Sequence, residues 1–169
     1  PAASRPLGLP SPPTAASAVV TGAVDDTETV ETRVYTYTFV NKEAGREIES
    51  APAPASTSVD VRTTQTVTLS NFAAVPGSGY IVTHRRIYRS TSGVFLLVDE
   101  IPVADNSFAD NVDPDDLAEE IPSLYWAEPP AALQGLINLP NGMMAGFVGR
   151  DLYFCEPYRP HAWPENYIL

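Results

Sequence analysis

The stretch that decides the fold is "TRVYTYTFVNKEAGREIES", residues 32–50. Its β-branched and aromatic side chains alternate with a period of two, which predicts a strand with a different set on each face. The polar, glycine-containing run 41–45 predicts a turn, and residues 46–50 predict the returning strand. The two faces of the first strand are Val34, Thr36, Thr38 and Val40 on one side, and Tyr35, Tyr37 and Phe39 on the other.

The same pattern recurs along the chain. Residues 80–102 predict two strands around the turn "STSG", and a strand is expected at roughly 18–24. Two short strands are expected at about 143–148 and 151–155, around "VGRD". Helical periodicity is nearly absent, apart from one short turn that begins with Asp113 as N-cap before Pro114. The sequence therefore predicts an all-β fold of roughly eight to ten strands.

Composition sets the domain organisation. The 169 residues include 17 prolines and 10 glycines, with 44% hydrophobic and 18% charged residues, which is typical of a globular chain of short strands and turns. Residues 1–17 are expected to be an extended Pro-rich lead-in, 18–123 a β-sandwich, and 124–169 a linker and the start of a second β module. The chain begins at Pro1 without Met and stops within a strand-and-turn pattern, so it is interpreted as a fragment.

The charge balance restricts the partners. A net charge of −11 repels phosphate backbones, so no direct nucleic-acid binding is expected. "HRRIYR", residues 84–89, is the only basic cluster, and it lies in a strand-like pattern, which favours a structural role over an anion contact. No run reaches the roughly 18–20 apolar residues of a membrane span, and no secretory signal is visible, so no membrane partner is expected.

Few residues of the sequence suggest a catalytic or metal-binding site. A single cysteine, Cys155, lies in an apolar run and is expected to be a buried, inert thiol. Asp110, Asp113 and Asp115 resemble a calcium loop, but the required glycine and terminal glutamate are missing, which favours a solvated acidic turn. No nucleophile elbow and no HExxH motif occur. We therefore expect no enzyme, no cofactor and no metal site.

The proline-rich run "EPYRPHAWP", residues 156–164, is the candidate functional segment. Its prolines fix the backbone and hold large aromatic side chains in defined positions. Tyr158, Arg159, His161 and Trp163 are the candidate binding residues. Their interpretation as packing or an assembly interface is favoured, and sugar stacking on tyrosine and tryptophan is the sharper alternative.

Two stretches of the first part resemble a fibronectin type III domain. "YTYTFVNKEAGREIESAPAPAS", residues 35–56, resembles its last two strands, and "RRIYRSTSGVFLLVDEIPVADNSFADN", residues 85–111, resembles its middle strands in the bacterial form. The late-strand signature comes first here, which departs from the family order. The resemblance implies a fibronectin/immunoglobulin-like antiparallel β-sandwich, either as two adjoining incomplete modules or as one rearranged sandwich.

The C-terminal third is similar to virion structural proteins of tailed bacteriophages and prophages. The similarity lies in "PSLYWAEPPAALQGLINLPNGMMAGFVGRDLYFCEPYRPHAWPENY", residues 122–167. The run also resembles the opening of propeller-like tail nozzle proteins, which would make residues 144–149 and 151–157 adjacent strands of a first blade. The resemblance implies a structural component of the tail or connector, assembled in the bacterial cytoplasm into the virion. Its expected partners are other virion proteins, within a homo-oligomeric ring.

A second hypothesis for the function of this chain places it in a different class of protein. The alternative is a bacterial surface or secreted β-sandwich module that binds glycan or protein. Neighbouring genes for portal, terminase or tail proteins favour the virion, whereas glycan binding that depends on Trp163 favours the surface module.

Overall fold

The computed structural model describes residues 5–43, 45–77 and 79–169. Within these ranges the chain is all-β, every strand pairing is antiparallel, and the helical elements are two 3₁₀ turns, Pro114–Asp116 and Glu165–Tyr167. The prediction of an all-β, antiparallel fold is confirmed. The strands are β1 (Ser17–Thr21), β2 (Glu31–Glu43), β3 (Arg46–Glu49), β4 (Val59–Val61), β5 (Thr66–Ser70), β6 (His84–Ser90), β7 (Leu96–Pro102), β8 (Ser107–Asp110), β9 (Gln134–Asn138), β10 (Met144–Val148) and β11 (Asp151–Phe154).

The described strands number eleven, more than the sequence predicted. The short strands β8 and β9 lie in runs for which the sequence predicted no strand. The first strand is shorter than the predicted 18–24, because Gly22 adopts a φ of 115° and ends it at Thr21. The first turn is tighter than predicted, since β2 continues to Glu43 and Gly45 turns the chain at a φ of 74°.

The strands form three sheets. One has the order β1-β5-β8, and another has the order β3-β2-β6-β7, with β4 pairing to the first residues of β2. The third sheet, β11-β10-β9, is formed by the C-terminal part alone. The predicted hairpins β2–β3, β6–β7 and β10–β11 are all present.

The neighbour order explains the unusual order of the sequence signatures. In an immunoglobulin-like sandwich, strands C, F and G share one sheet, and strands A, B and E lie in the other. The order β3-β2-β6 matches G-F-C, and β1-β5-β8 matches A-B-E. The late-strand and middle-strand segments therefore share a sheet, so they form one rearranged sandwich rather than two incomplete modules.

The sandwich core lies between these two sheets. The aromatic face of β2 packs inward, as the period-two pattern predicted, and Val67, Leu69 and Ile87 complete the centre. Tyr37 makes edge-to-face contacts with Phe39 and Phe72 at ring-centroid distances of 6.2 and 5.1 Å. The lead-in contributes as well, since Leu9 and Ala16 are buried in the same cluster. Residues 1–4 of the predicted lead-in lie outside the described residues.

The opposite face of β2 is also buried. Thr36, Thr38 and Val40 are shielded from solvent although they point away from the core. Thr36 donates to Ala53 O at 2.8 Å, and Thr38 and Ser123 donate to the same buried carboxylate on β3. The segment 118–126 also pairs with the edge of β7, where Ala118 donates its backbone N–H to Leu97 O at 2.9 Å. The linker therefore packs on the sandwich, which ties the two parts of the chain together.

Candidate functional site

The candidate segment, residues 156–164, forms a closed loop after β11. The Arg159 backbone N–H bonds to Glu156 O at 3.1 Å, the Ala162 N–H to Arg159 O at 3.0 Å, and the Glu156 N–H to Ala162 O at 2.8 Å. Its prolines lack a backbone N–H and have a restricted φ, so the loop is rigid at little entropic cost. The sequence interpretation of a proline-braced loop fits this geometry.

Trp163 is a packing residue. Its side chain is only 3% exposed, its indole Nε1 donates to Pro160 O at 2.9 Å, and its backbone N–H bonds to Ala127 O at 2.9 Å. The indole therefore holds the loop against the linker and cannot present a face to a sugar. A tryptophan platform at this position is excluded by its burial.

His161 is buried beside it. Its ring meets Trp126 edge-to-face at a centroid distance of 5.6 Å, and its Nε2 has no hydrogen-bond partner among the described residues. Burial, together with the nearby positive charge of Arg159, lowers the pKa of His161 to about 4. The imidazole is therefore neutral near neutral pH and serves as an apolar packing group.

Arg159 and Tyr158 lie at the surface of the same loop. The Arg159 guanidinium stacks over the Trp126 ring at 5.0 Å from its centroid. Tyr158 is 82% exposed and has a φ of 60°, and its ring lies over Gly142, where an added Cβ would come within 2.5 Å of a ring carbon. Of the four predicted binding residues, these two alone are placed where they can contact a partner.

Cys155 immediately precedes this loop and is fully buried. Its Sγ accepts the backbone N–H of Met144 at 2.9 Å, and burial raises the pKa of the thiol. A protonated thiol without solvent access is a poor nucleophile. The predicted burial of Cys155 is confirmed.

The basic cluster 84–89 is used inside the fold. Arg85 donates to the backbone carbonyls of Ala73 and Val103 at 3.2 and 2.8 Å. Arg86 is paired with Glu49 and Glu100 at 2.7 and 3.0 Å. The side chains that looked like a basic patch in the sequence therefore join strands to one another.

Arg89, the third arginine of this cluster, forms a buried ion pair that the sequence did not reveal. Arg89 Nη1 lies 2.7 Å from Asp110 Oδ2, and both side chains have no exposed surface. The Tyr35 hydroxyl also donates to Asp110 Oδ2 at 2.7 Å. Burial, together with the Asp110 carboxylate, raises the pKa of the Tyr35 phenol. The cluster closes one end of the core.

A second buried cluster centres on Glu49 of β3. Glu49 Oε1 accepts hydroxyl hydrogen bonds from Thr38, Tyr88 and Ser123 at 2.9, 2.7 and 3.3 Å. Glu49 Oε2 accepts from Arg86 Nη1 at 2.7 Å. One carboxylate thus joins three strands and the linker. Period two places Glu49 on the same side as Glu47, but nothing local to the sequence indicates that only Glu49 is covered.

The acidic run 110–116 divides into structural roles. Asp110 points into the core, whereas Asp113 caps the 3₁₀ turn by accepting the Asp115 backbone N–H at 3.0 Å. The predicted N-cap is confirmed, and the expectation of a solvated turn is wrong for Asp110. Across the described ranges, no group of three or more His, Cys, Asp or Glu residues is arranged to hold a metal ion.

Two grooves mark the described surface. A groove of about 300 Å³ at one end of the sandwich is lined by residues of mixed charge, among them Glu31, Arg33 and Asp113. An open groove of about 640 Å³ is lined by Leu124, Tyr125, Trp126, Glu165 and Asn166. Sequence reasoning missed Tyr125, because the groove forms only where residues 165–166 approach it, and no local pattern indicates that approach.

Comparisons with known proteins found no protein-family model and no curated protein that matches this chain. No helix in the described ranges is long and apolar enough to cross a bilayer.

Proposed function

We propose that this chain is a structural component of a bacteriophage virion, placed in the tail or its connector. It acts through protein–protein contacts with other virion proteins. The proposal starts from the similarity of residues 122–167 to virion structural proteins, and it gains support from how these residues are used in the fold.

The observation that carries the proposal is the burial of the chemically distinctive C-terminal residues. Cys155, His161 and Trp163 pack inside the junction between the third sheet and the linker. The linker in turn is held on the sandwich by the Ser123–Glu49 hydrogen bond. These cysteine, histidine and tryptophan side chains, which a catalytic pocket would expose, instead pack the third sheet rigidly against the linker. A rigid connection of this kind suits a structural part of a larger assembly.

The surface supports the same proposal. The third sheet leaves Leu136, Ile137, Phe147 and Leu152 exposed, and these residues belong to the run that carries the virion resemblance. Large exposed apolar side chains grouped on one module are typical of protein interaction sites.

Immunogold electron microscopy tests the proposal. Antibodies raised against the purified chain are applied to phage particles induced from the strain that carries the gene. Labelling at the tail or at the head–tail junction is expected. Labelling of the bacterial envelope, with none on particles, contradicts the proposal.

A second candidate function rests on the open groove at Tyr125. The exposed Tyr125 ring supplies a stacking surface, and Glu165 and Asn166 beside it supply hydrogen-bonding groups of the kind that bind sugars. For a surface or secreted binding module, glycan-array binding is expected to be lost in Tyr125→Ala. Trp163→Ala is not a useful probe, because that indole is buried.

A further inference from the structure

We propose that two copies of this chain associate through β9, with the two β9 strands antiparallel across a two-fold axis. The contact region, here called the apolar edge, is β9 itself with its two exposed aliphatic side chains, Leu136 and Ile137. This inference stands on the exposed surface of the third sheet, independently of the virion proposal.

The outer side of β9 is open. Its strand partner in the described part of the chain is β10, so its other side is a free sheet edge. All five of its residues are exposed. Successive side chains of a strand point to opposite faces, so the exposure of both Leu136 and Ile137 leaves each face of β9 open.

β9 also lacks the usual protection of an edge strand. Edge strands are commonly blocked by charged side chains. Among the sandwich edges, β3 carries Arg46 and Glu47, and β7 pairs with residues 118–121 through backbone hydrogen bonds. The edge strand β1, with the sequence "SAVVT", carries no charge, but Val19 is its one large exposed hydrophobic residue. β9, with the sequence "QGLIN", carries no charge and two large aliphatic residues.

The charge distribution identifies the occupant of this edge. The chain has a net charge of −11, yet residues 129–149 contain no charged residue. Two copies repel each other through most of their surface, but this neutral stretch lets them approach with the least repulsion. A basic partner would instead be attracted to the acidic surface elsewhere. The neutral, apolar edge therefore favours a second copy.

The geometry of the contact follows from symmetry. Antiparallel pairing centred on Leu136 places Gln134 opposite Asn138 of the other copy, so the contact is self-complementary. Gly135 has a φ of 61°, so the ladder is interrupted at that residue. A register shift opposite Ala145–Phe147 makes the strand irregular, so side-chain burial carries more of the contact than a long ladder does. Such a contact closes a dimer and leaves any ring contacts to other surfaces.

Sedimentation velocity of the 169-residue chain over a range of concentrations and salt tests the proposal. A monomer–dimer equilibrium is expected that strengthens between about 0.05 and 0.5 M NaCl, because salt screens the repulsion of two acidic chains. Leu136→Glu should raise the dissociation constant at least about a hundredfold, since the substitution occurs twice in a two-fold contact.

Val19→Glu is the matched control. Val19 lies on β1, another edge strand, and is 53% exposed, compared with 52% for Leu136. This variant should dimerise almost as the parent does, and both variants should keep the parent circular dichroism spectrum. A chain that stays monomeric at all concentrations and salts overturns the proposal, as does a dimer that Leu136→Glu leaves intact.

A disulfide test fixes the register. Residues directly opposite in antiparallel strands have Cα atoms about 4.5 to 5.5 Å apart, which is within disulfide range. Leu136→Cys should therefore form a covalent dimer under mild oxidation, whereas Val19→Cys should not, and buried Cys155 does not compete. A reversible dimer without the Leu136→Cys cross-link contradicts the two-fold β9 pairing.

Discussion

The buried carboxylate of Glu49 offers the sharpest test of how the fold is held together. Glu49 and Glu47 lie on the same strand and both pair with Arg86. The side chain of Glu49 is 3% exposed and that of Glu47 is 52% exposed. Replacing each by glutamine removes the same charge from the same arginine, so the two variants differ mainly in burial.

The expected cost differs because water compensates only one of the two changes. In Glu49→Gln, an amide replaces a carboxylate that accepts three hydroxyl hydrogen bonds and the Arg86 bond. Breaking a buried pair of this kind costs about 3 kcal/mol, at the lower end because Arg86 keeps Glu47 and Glu100. In Glu47→Gln, an exposed pair is lost, which costs about 0 to 1 kcal/mol.

Urea unfolding followed by tryptophan fluorescence measures the difference. With a slope of about 2 kcal/mol per M, Glu49→Gln should lower the midpoint by about 1.5 M, and Glu47→Gln by less than about 0.5 M. Equal midpoints for the two variants would refute the reasoning, because burial would then contribute nothing to the stability that Glu49 provides.

Four further outcomes are expected. Trp163→Ala should lower the free energy of unfolding by about 3 to 5 kcal/mol, measured by urea unfolding, because it empties the junction between the third sheet and the linker. Asp110→Asn should cost about 3 to 5 kcal/mol in the same assay, because it leaves the Arg89 charge buried and unpaired. Native Cys155 should resist thiol reagents until the chain is unfolded, and Cys155→Ser should cost about 1 to 3 kcal/mol while abolishing no activity. The folded pKa of His161 is about 4 and the unfolded one about 6.5, so the stability from its neutral form is complete above pH 6.5 and is lost toward pH 4. That loss is about 2 kcal/mol after solvent screening, and His161→Phe should remove it from the difference in urea midpoint between pH 7 and pH 4.5.

The strands and hairpins could be predicted because their signals are local. The alternation of residues 32–50 identifies β2 and orients its aromatic face toward the core, as the structure confirms. The turn signals around Gly93 and Gly149 likewise mark hairpins correctly. The short strand β9 was not predicted, because its two adjacent aliphatic residues beside a glycine do not alternate with polar residues.

The buried clusters could not be predicted because their partners are far apart in the chain. Ser123 lies 74 residues beyond Glu49, and Asp110 lies 75 residues beyond Tyr35. Local patterns identify a charged residue but not the segment that covers it. Glu47 and Glu49 show this directly, since the same residue type two positions apart is exposed in one case and buried in the other.

The rigidity and aromatic content of the candidate loop were predicted from the sequence, but which of its side chains are buried and which are exposed was predicted only in part. The prolines of residues 156–164 indicated a rigid aromatic loop, and the burial of Trp163 and His161 agrees with a packing role. The exposure of Tyr158 depends on Gly142, which lies on another turn and supplies the space beneath its ring. The contribution of Tyr125 depends on the approach of residues 165–166, which no local pattern indicates.

Quantitative mass spectrometry of gradient-purified phage particles tests the virion assignment most directly. If the chain is a tail or connector component, its peptides should be present in a fixed ratio to the portal protein and should remain after stringent washing. Absence of these peptides from the particles, with recovery of the protein from the cell envelope or the culture medium, would contradict the virion assignment.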